Sequence, residues 1–500
     1  MLGTWVLSLG VFCLLQCTVS GEPRPDFALG ATLFGTVRVS GAISDTQSVV
    51  TGINANLQLT LNSNFPGLAN LLQLTQEVGE TIADLLESVL NPLAVLAPSS
   101  SSEDVEFFNS VLGAVQSVQG FLSDRLNEIN SEVGGIVYSG SLPTQFADAL
   151  GRVGSGLHEL ASALQALQTA VRAILSQSSE ECEPCSPKSI RPKLVYRVVY
   201  AVRTLRAYLP VVTYTLTTTV ENIAIADQFV VRLTEEAEDV QEPSQYVNLV
   251  LATTSTVSTA VNNGVGTVVT RYNTVRSEVL ALQNLGSLMA YGGVQQMLTS
   301  FNTTLQQLSS AGPAFSAALA DIAEQLRLAL LPDEDTPTVN DSEVVATLVR
   351  TLLANGRYAR FCFYKYAELV FGLANTGMLG VETCVNKEMM RLQQLRRALL
   401  AQIPLLLFDL EDITAELRVC DSTPRVASRE SCVAMVAGYY NAVAASFRTK
   451  FNSLYVTGTA EADASKNRLL ACVRVLQYEI VDGSALSLKN QILQCAQNGP

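Results

Sequence analysis

Histidine is almost missing from this chain: His158 is the only one in 500 residues. Any dyad, triad or zinc site that needs imidazole has that one residue to draw on. His158 lies beside Leu157, at the edge of an apolar helical stripe, where an ordinary half-exposed helix position accounts for it. Charge is scarce as well, at 16% of residues, and cationic charge is scarcer, with 32 Lys and Arg against 46 Asp and Glu for a net charge of −14. A nucleic-acid or polyanion binder works through a basic face, so this balance argues against one. No P-loop, dinucleotide fingerprint or nucleophile elbow occurs. After the N-terminus no segment approaches the roughly 20 apolar residues of a membrane-spanning helix. No cysteine falls between Cys185 and Cys362.

The N-terminus compensates for some of these absences. An apolar run at 5–15, small residues at Val19, Ser20 and Gly21, and the break Glu22-Pro23-Arg24-Pro25 form a signal-peptide layout, although no Lys or Arg precedes the run. The expectation is a cleaved signal over 1–20 and a secreted, extracellular protein. Cys13, Cys17 and Trp5, the sole tryptophan, leave with the signal. The C-terminal ILQCAQNGP is polar, unlike a lipid-anchor signal. Eight cysteines remain, an even number, which in an exported chain points to disulfides. Asn302-Thr303-Thr304 and Asn340-Asp341-Ser342 are candidate glycosylation sequons, Asn302 and Asn340 being the acceptors.

Helical spacing dominates the rest. Leu157, Leu160, Leu164, Leu167, Val171 and Ile174 step by three and four, as do Val294, Leu298, Phe301, Leu305 and Leu308, and Phe315, Leu319, Ile322 and Leu326. Met389, Leu392, Leu399, Ile403, Leu406, Leu410, Ile413 and Leu417 continue the pattern over a longer span, with a kink expected at Pro404. Residues 251–270 are rich in Val and Thr, which favour strands, yet Val257, Val261, Val265, Val268, Tyr272, Val275, Val279 and Leu282 keep helical steps, so helix is expected. Strand-like alternation is brief, as in Thr36-Val37-Arg38-Val39. The fold class is all-α: long amphipathic helices in bundle or coiled-coil packing, with a disulfide-stapled C-terminal helical module. Pro-, Ser- and acid-rich breaks at 176–187 and 331–341 divide the mature chain into helical regions 21–180, 188–331 and 342–500.

Six cysteines mark the last region. Cys362 and Cys384 are 22 residues apart, Cys472 and Cys495 are 23 apart. On helices each gap spans about 33 Å at roughly 1.5 Å per residue. Two antiparallel helices with this spacing admit a nested pairing, Cys362 with Cys495 and Cys384 with Cys472, leaving Cys420 and Cys432 to close the loop between them. Asn355-Gly356 and Asn375-Thr376-Gly377 are places where the first helix would break and spoil the alignment.

Cys362-Phe363-Tyr364-Lys365-Tyr366 resembles the Cys-Phe-x-x-Tyr opening of the TsetseEP domain of secreted insect proteins. Val419-Cys420-Asp421-Ser422, Cys432 with Tyr439, Tyr440 and Asn441, then Cys472 and Leu493-Gln494-Cys495 are similar to the rest of that domain's cysteine order. The resemblance covers about residues 360–496 and departs in having no cysteine between Cys384 and Cys420. It implies a secreted insect protein of a gut or other epithelial surface, a family with no established enzymatic role.

Cys182-Glu183-Pro184-Cys185 has thioredoxin-like spacing but sits in a linker between helical patterns, with Glu181 and Glu183 opposing a thiolate, so a structural bridge is expected, within the pair or between two chains. The acidic runs at Asp333-Glu334-Asp335 and around Glu235–Glu242 lack the glycine turn and alternating ligands of a calcium loop. No metal or cofactor is expected. From Lys188 to Val220 there is no acid; Lys188, Arg191, Lys193, Arg197, Arg203 and Arg206 sit among Tyr196, Tyr200, Tyr208 and Tyr214. Such a face docks on an anionic surface, or else its arginines pair with the acids near 235–242. The functional expectation is a non-enzymatic interaction or structural protein of an extracellular surface, with a protein partner or self-association. The alternative is a carrier of apolar ligands, since amphipathic helices low in charge can enclose lipid.

Overall fold

The structure is a computed structural model and describes residues 26–29, 33–101, 105–136, 141–177, 190–239, 243–307, 310–330 and 339–499. The expected signal segment, Cys182 and Cys185, Asp333 to Asp335 and most of the two expected linkers lie outside the described residues. Within them the fold is all-α; one antiparallel bridge, between Asp26 and Leu29, is the exception.

In chain order the helices are α1 (Thr36–Thr51), α2 (Leu68–Leu96), α3 (Glu106–Ile136), α4 (Ser141–Gln177), α5 (Pro192–Asp239), α6 (Pro243–Leu280), α7 (Tyr291–Gln307) and α8 (Ala311–Leu330). After a short 3-10 turn at Val339–Asp341 come α9 (Glu343–Leu353), α10 (Ala359–Leu400), α11 (Ile403–Phe408), α12 (Ile413–Ser422), α13 (Val426–Tyr478) and α14 (Leu486–Asn498). A seven-residue π-helical stretch, Glu479–Ala485, joins the last two.

The chain forms two compact units, each drawn from separate stretches. The first comprises Met1–Leu233, Val339–Glu368 and Lys489–Pro500. Here α2, α3 and α4 pack in sequence, and α1 packs on α2. The stripe Leu157, Leu160, Leu164, Leu167 and Val171 is fully buried, as a helix with a single apolar seam requires. The loop before α2 is tied to α5 by Asp227, a buried carboxylate that accepts the backbone N–H of Asn62 (3.0 Å) and Ser63 (2.8 Å). Cys362 and Cys495 are bonded within this unit. Asn355 adopts φ 51°, a left-handed conformation that Asn tolerates better than most residues and that separates α9 from α10. Its side chain and carbonyl engage Gln145, and buried Asn222 reaches its Oδ1 at 3.1 Å. Arg360 in turn donates to the Asn222 Oδ1 at 2.8 Å and to Glu221 at 2.6 Å, so this polar cluster is satisfied throughout.

The second unit comprises Thr234–Thr338 and Leu369–Leu488. Its spine is α13, 53 residues long, against which α7 and α8 pack; α6 packs on α8. The core runs along Val433, Phe447, Phe451, Leu454, Leu469 and Val473 of α13 and Phe301, Phe315, Leu319 and Ile322 of α7 and α8. Cys384 is bonded to Cys472 and Cys420 to Cys432, completing the nested pattern. Helix α6 is continuous through the Val- and Thr-rich stretch. Val257, Val261, Val268, Tyr272, Val275 and Val279 are buried, while Thr253, Thr256, Thr267 and Thr270 turn their hydroxyls onto carbonyls four residues back. Residues 36–39 are helical too, the first turn of α1, because burial of Val39, Ala42 and Ile43 on one face overrides brief alternation. Asn375 and Gly377 lie inside uninterrupted α10. The stripe at 389–417 is not one kinked helix: it divides into α10, α11 and α12, and Pro404 sits in the first turn of α11, where its missing N–H costs nothing. All its leucines and isoleucines are buried nonetheless.

Helix α13 approaches α8 closely at Gly458, where a Cβ would stand 2.8 Å from the Phe315 ring. Gly458→Ala should therefore destabilise the protein by about 1–3 kcal/mol, against the small gain Ala gives in an open helix position; a thermal melt that is unchanged or raised would contradict this packing.

Candidate functional site

Two features of the second unit have the ingredients of a site. One is a charged cluster on α10 and α13. Glu388, 2% exposed, accepts from Arg468 at 2.7 Å and Arg391 at 2.8 Å, and Arg468 also reaches Glu461 at 2.7 Å. Burial alone pushes the Glu388 carboxyl up, but the guanidinium hydrogen bonds outweigh it and hold the group below the usual glutamate range. Arg468 is raised in return, chiefly by Glu388. A carboxylate saturated by two guanidinium groups neither gives nor takes a proton near neutrality, so this cluster braces helices rather than moving protons.

The other is a groove of about 520 Å³ between α6, α7 and α8, floored by α13. Val265, Val269, Leu305 and Pro313 form its apolar walls, and Asn262, Asn273 and Asn302 bring amides to it. Tyr272 and Tyr455 line its base. The Tyr272 hydroxyl donates to the Leu298 carbonyl at 2.9 Å. The Tyr455 ring is held edge-on by Phe315 and tilted against Phe451. Ser316 is shared between Ser258 (2.6 Å), Asn262 (3.2 Å) and the Gly312 carbonyl (3.0 Å). Burial pushes both phenols above tyrosine's ordinary value, so they stay protonated. Twelve residues line the groove and none carries a charge. Its chemistry is apolar contact with neutral hydrogen bonding, the usual make-up of a small-molecule site.

The residues singled out from sequence fall elsewhere, with one exception. His158 is exposed on α4. The six C-terminal cysteines form three disulfides. Asn340 lies in the 3-10 turn before α9. Asn302 is the exception: it stands in the groove wall, and Thr304 of its sequon is buried, bonded to the Ser300 carbonyl at 3.0 Å. On α5, Arg191, Lys193, Arg197 and Arg203 are exposed. Arg206 is not part of a free face; it pairs at 2.6 Å with Asp45 on α1. Among the described residues no group of three or more His, Cys, Asp or Glu side chains is placed to hold a metal. Tyr455 and the groove carried no sequence signal, since valines, amides and tyrosines at helical spacing read as ordinary core. No protein-family model matches this chain, and no curated protein matches it.

The Glu388 cluster generates a pH prediction. A carboxylate with a lowered folded pKa contributes stability that is complete above its unfolded value of about 4.3 and is lost as pH falls through the folded value. The melting temperature should drop on acidification below about pH 4.5, and Glu388→Gln should cost about 3 kcal/mol near neutrality while flattening that acid limb. An acid limb identical in wild type and Glu388→Gln would remove the cluster from this role.

Proposed function

We propose that the protein is secreted and works by binding, as a non-enzymatic interaction and structural protein of an extracellular surface. The observation that carries this reading is an exposed aromatic and basic face where α1 meets the start of α5. Phe34 is 72% exposed, Val37 74% and Tyr200 62%. Lys193, Arg197, Tyr200 and Arg203 follow one another at steps of four, three and three along the solvent side of α5. Tyr196 joins the two helices, its ring 6.2 Å from Phe34 and beneath the Arg38 guanidinium at 5.6 Å. In a chain of net charge −14, this local reversal of sign favours an anionic partner surface, and the exposed rings supply the apolar half of the contact. Three disulfides suit an oxidising compartment. No described helix is long and apolar enough to cross a membrane. The resemblance of residues 360–496 to the TsetseEP domain supports a place at an insect gut or other epithelial surface.

One further observation favours the second reading, a carrier of apolar ligands: the neutral groove of the second unit.

The surface reading is tested with the secreted chain and the triple reversal Lys193→Glu, Arg197→Glu, Arg203→Glu, sedimented with vesicles of anionic or zwitterionic phospholipid. Binding to the anionic vesicles alone, weakened at least about tenfold by the reversal and lost when salt shortens the Debye length to about 3 Å, is expected. Equal binding by both proteins would overturn it.

A further inference from the structure

We propose that the groove of the second unit binds an uncharged, mostly apolar molecule that offers one oxygen to the Tyr455 hydroxyl; this rests on the carrier reading and specifies its ligand. Tyr455 is 6% exposed, yet its hydroxyl makes no hydrogen bond among the described residues. The ring is buried but the oxygen itself is open to the groove, so a ligand oxygen can take the place of water on it. Its oxygen stands at the groove floor, 3.4 Å from the point where a Cβ on Gly312 would lie, and the Asn262 Oδ1 stands at the same distance from that point. With no side chain at Gly312, both polar atoms stay uncovered on the groove space beside it. Asn262 spends its amide nitrogen on Ser258 and Ser316, so its oxygen faces that space as an acceptor. A hydroxyl on a ligand therefore meets a donor in Tyr455 and an acceptor in Asn262.

The walls decide the rest of the ligand. Val265, Val269 and Leu305 give it an apolar body to contact. None of the lining residues is cationic, so a carboxylate placed against Tyr455 would lose hydration with no counter-charge. The groove accordingly favours a long-chain alcohol over the carboxylate of equal length. The volume of about 520 Å³ is within the range of roughly 300–1,000 Å³ usual for small-molecule sites.

The test is displacement of the neutral fluorescent probe N-phenyl-1-naphthylamine from the full secreted chain by 1-dodecanol and by dodecanoate at pH 8. The probe is expected to bind, dodecanol to displace it, and dodecanoate to need at least about tenfold more. Tyr455→Phe should weaken dodecanol about five- to tenfold with little effect on the probe. Val269→Trp, at a half-exposed wall position, should fill the groove and abolish probe binding; far-ultraviolet circular dichroism confirms that each variant is folded. No probe binding by the wild type removes the carrier reading and this inference together. Probe binding with dodecanol and dodecanoate equally effective, or with dodecanol indifferent to Tyr455→Phe, overturns this inference and leaves the carrier reading standing. Probe binding that survives Val269→Trp places the ligand elsewhere and also overturns it.

Discussion

The second unit depends on the register of one long helix. Over its 53 residues α13 carries a buried stripe that no shorter helix could cover alone, so α7, α8, α11 and α12 each bury their own apolar faces against part of it. A helix that long can slide by a turn, about 5.4 Å, and still present apolar side chains. Two covalent ties remove that freedom: Cys432 near its start is bonded to α12 and Cys472 near its end to α10. With register fixed at both points, Gly458 comes opposite Phe315, Arg468 opposite Glu388, and Tyr455 under the groove. Slippage by one turn would lose all three together.

Polar groups follow the same logic of position. Glu388 with Arg468, and Asn222 with Asn355 and Arg360, are buried groups whose partners come from distant parts of the sequence. Each is costly unless its partner arrives within hydrogen-bond distance, so each penalises wrong packing more than it stabilises right packing. The Tyr455 hydroxyl differs from these in opening into the groove, and the ligand proposed for that groove rests on this difference.

The fold was largely legible in the sequence because apolar periodicity of three and four reports burial directly. Leu157 to Val171 and Phe315 to Leu326 are buried where that spacing puts them. The cysteine gaps of 22 and 23 residues pointed to the nested pairing as one of the fifteen that six cysteines allow, and the structure has it. Turns were harder to read. The stripe from Met389 to Leu417 keeps its period across two helix breaks, because burial demands the spacing whether or not the backbone is continuous. The partner of Arg206 was not legible either: Asp45 is 161 residues away, and charge alone does not say which acid lies opposite. The groove was the least legible feature. It arises from the fit of four helices around a missing side chain at Gly312, and no local pattern encodes such a fit.

The account stands or falls on the ties that hold α13 in register. Peptide mapping of the non-reduced, secreted protein by mass spectrometry tests them directly. The structure predicts three linked pairs among the C-terminal cysteines: Cys362 with Cys495, Cys384 with Cys472, and Cys420 with Cys432. Any other pairing of these six, such as Cys384 with Cys420, would place α13 against different neighbours and contradict the packing, the Glu388 cluster and the groove at once.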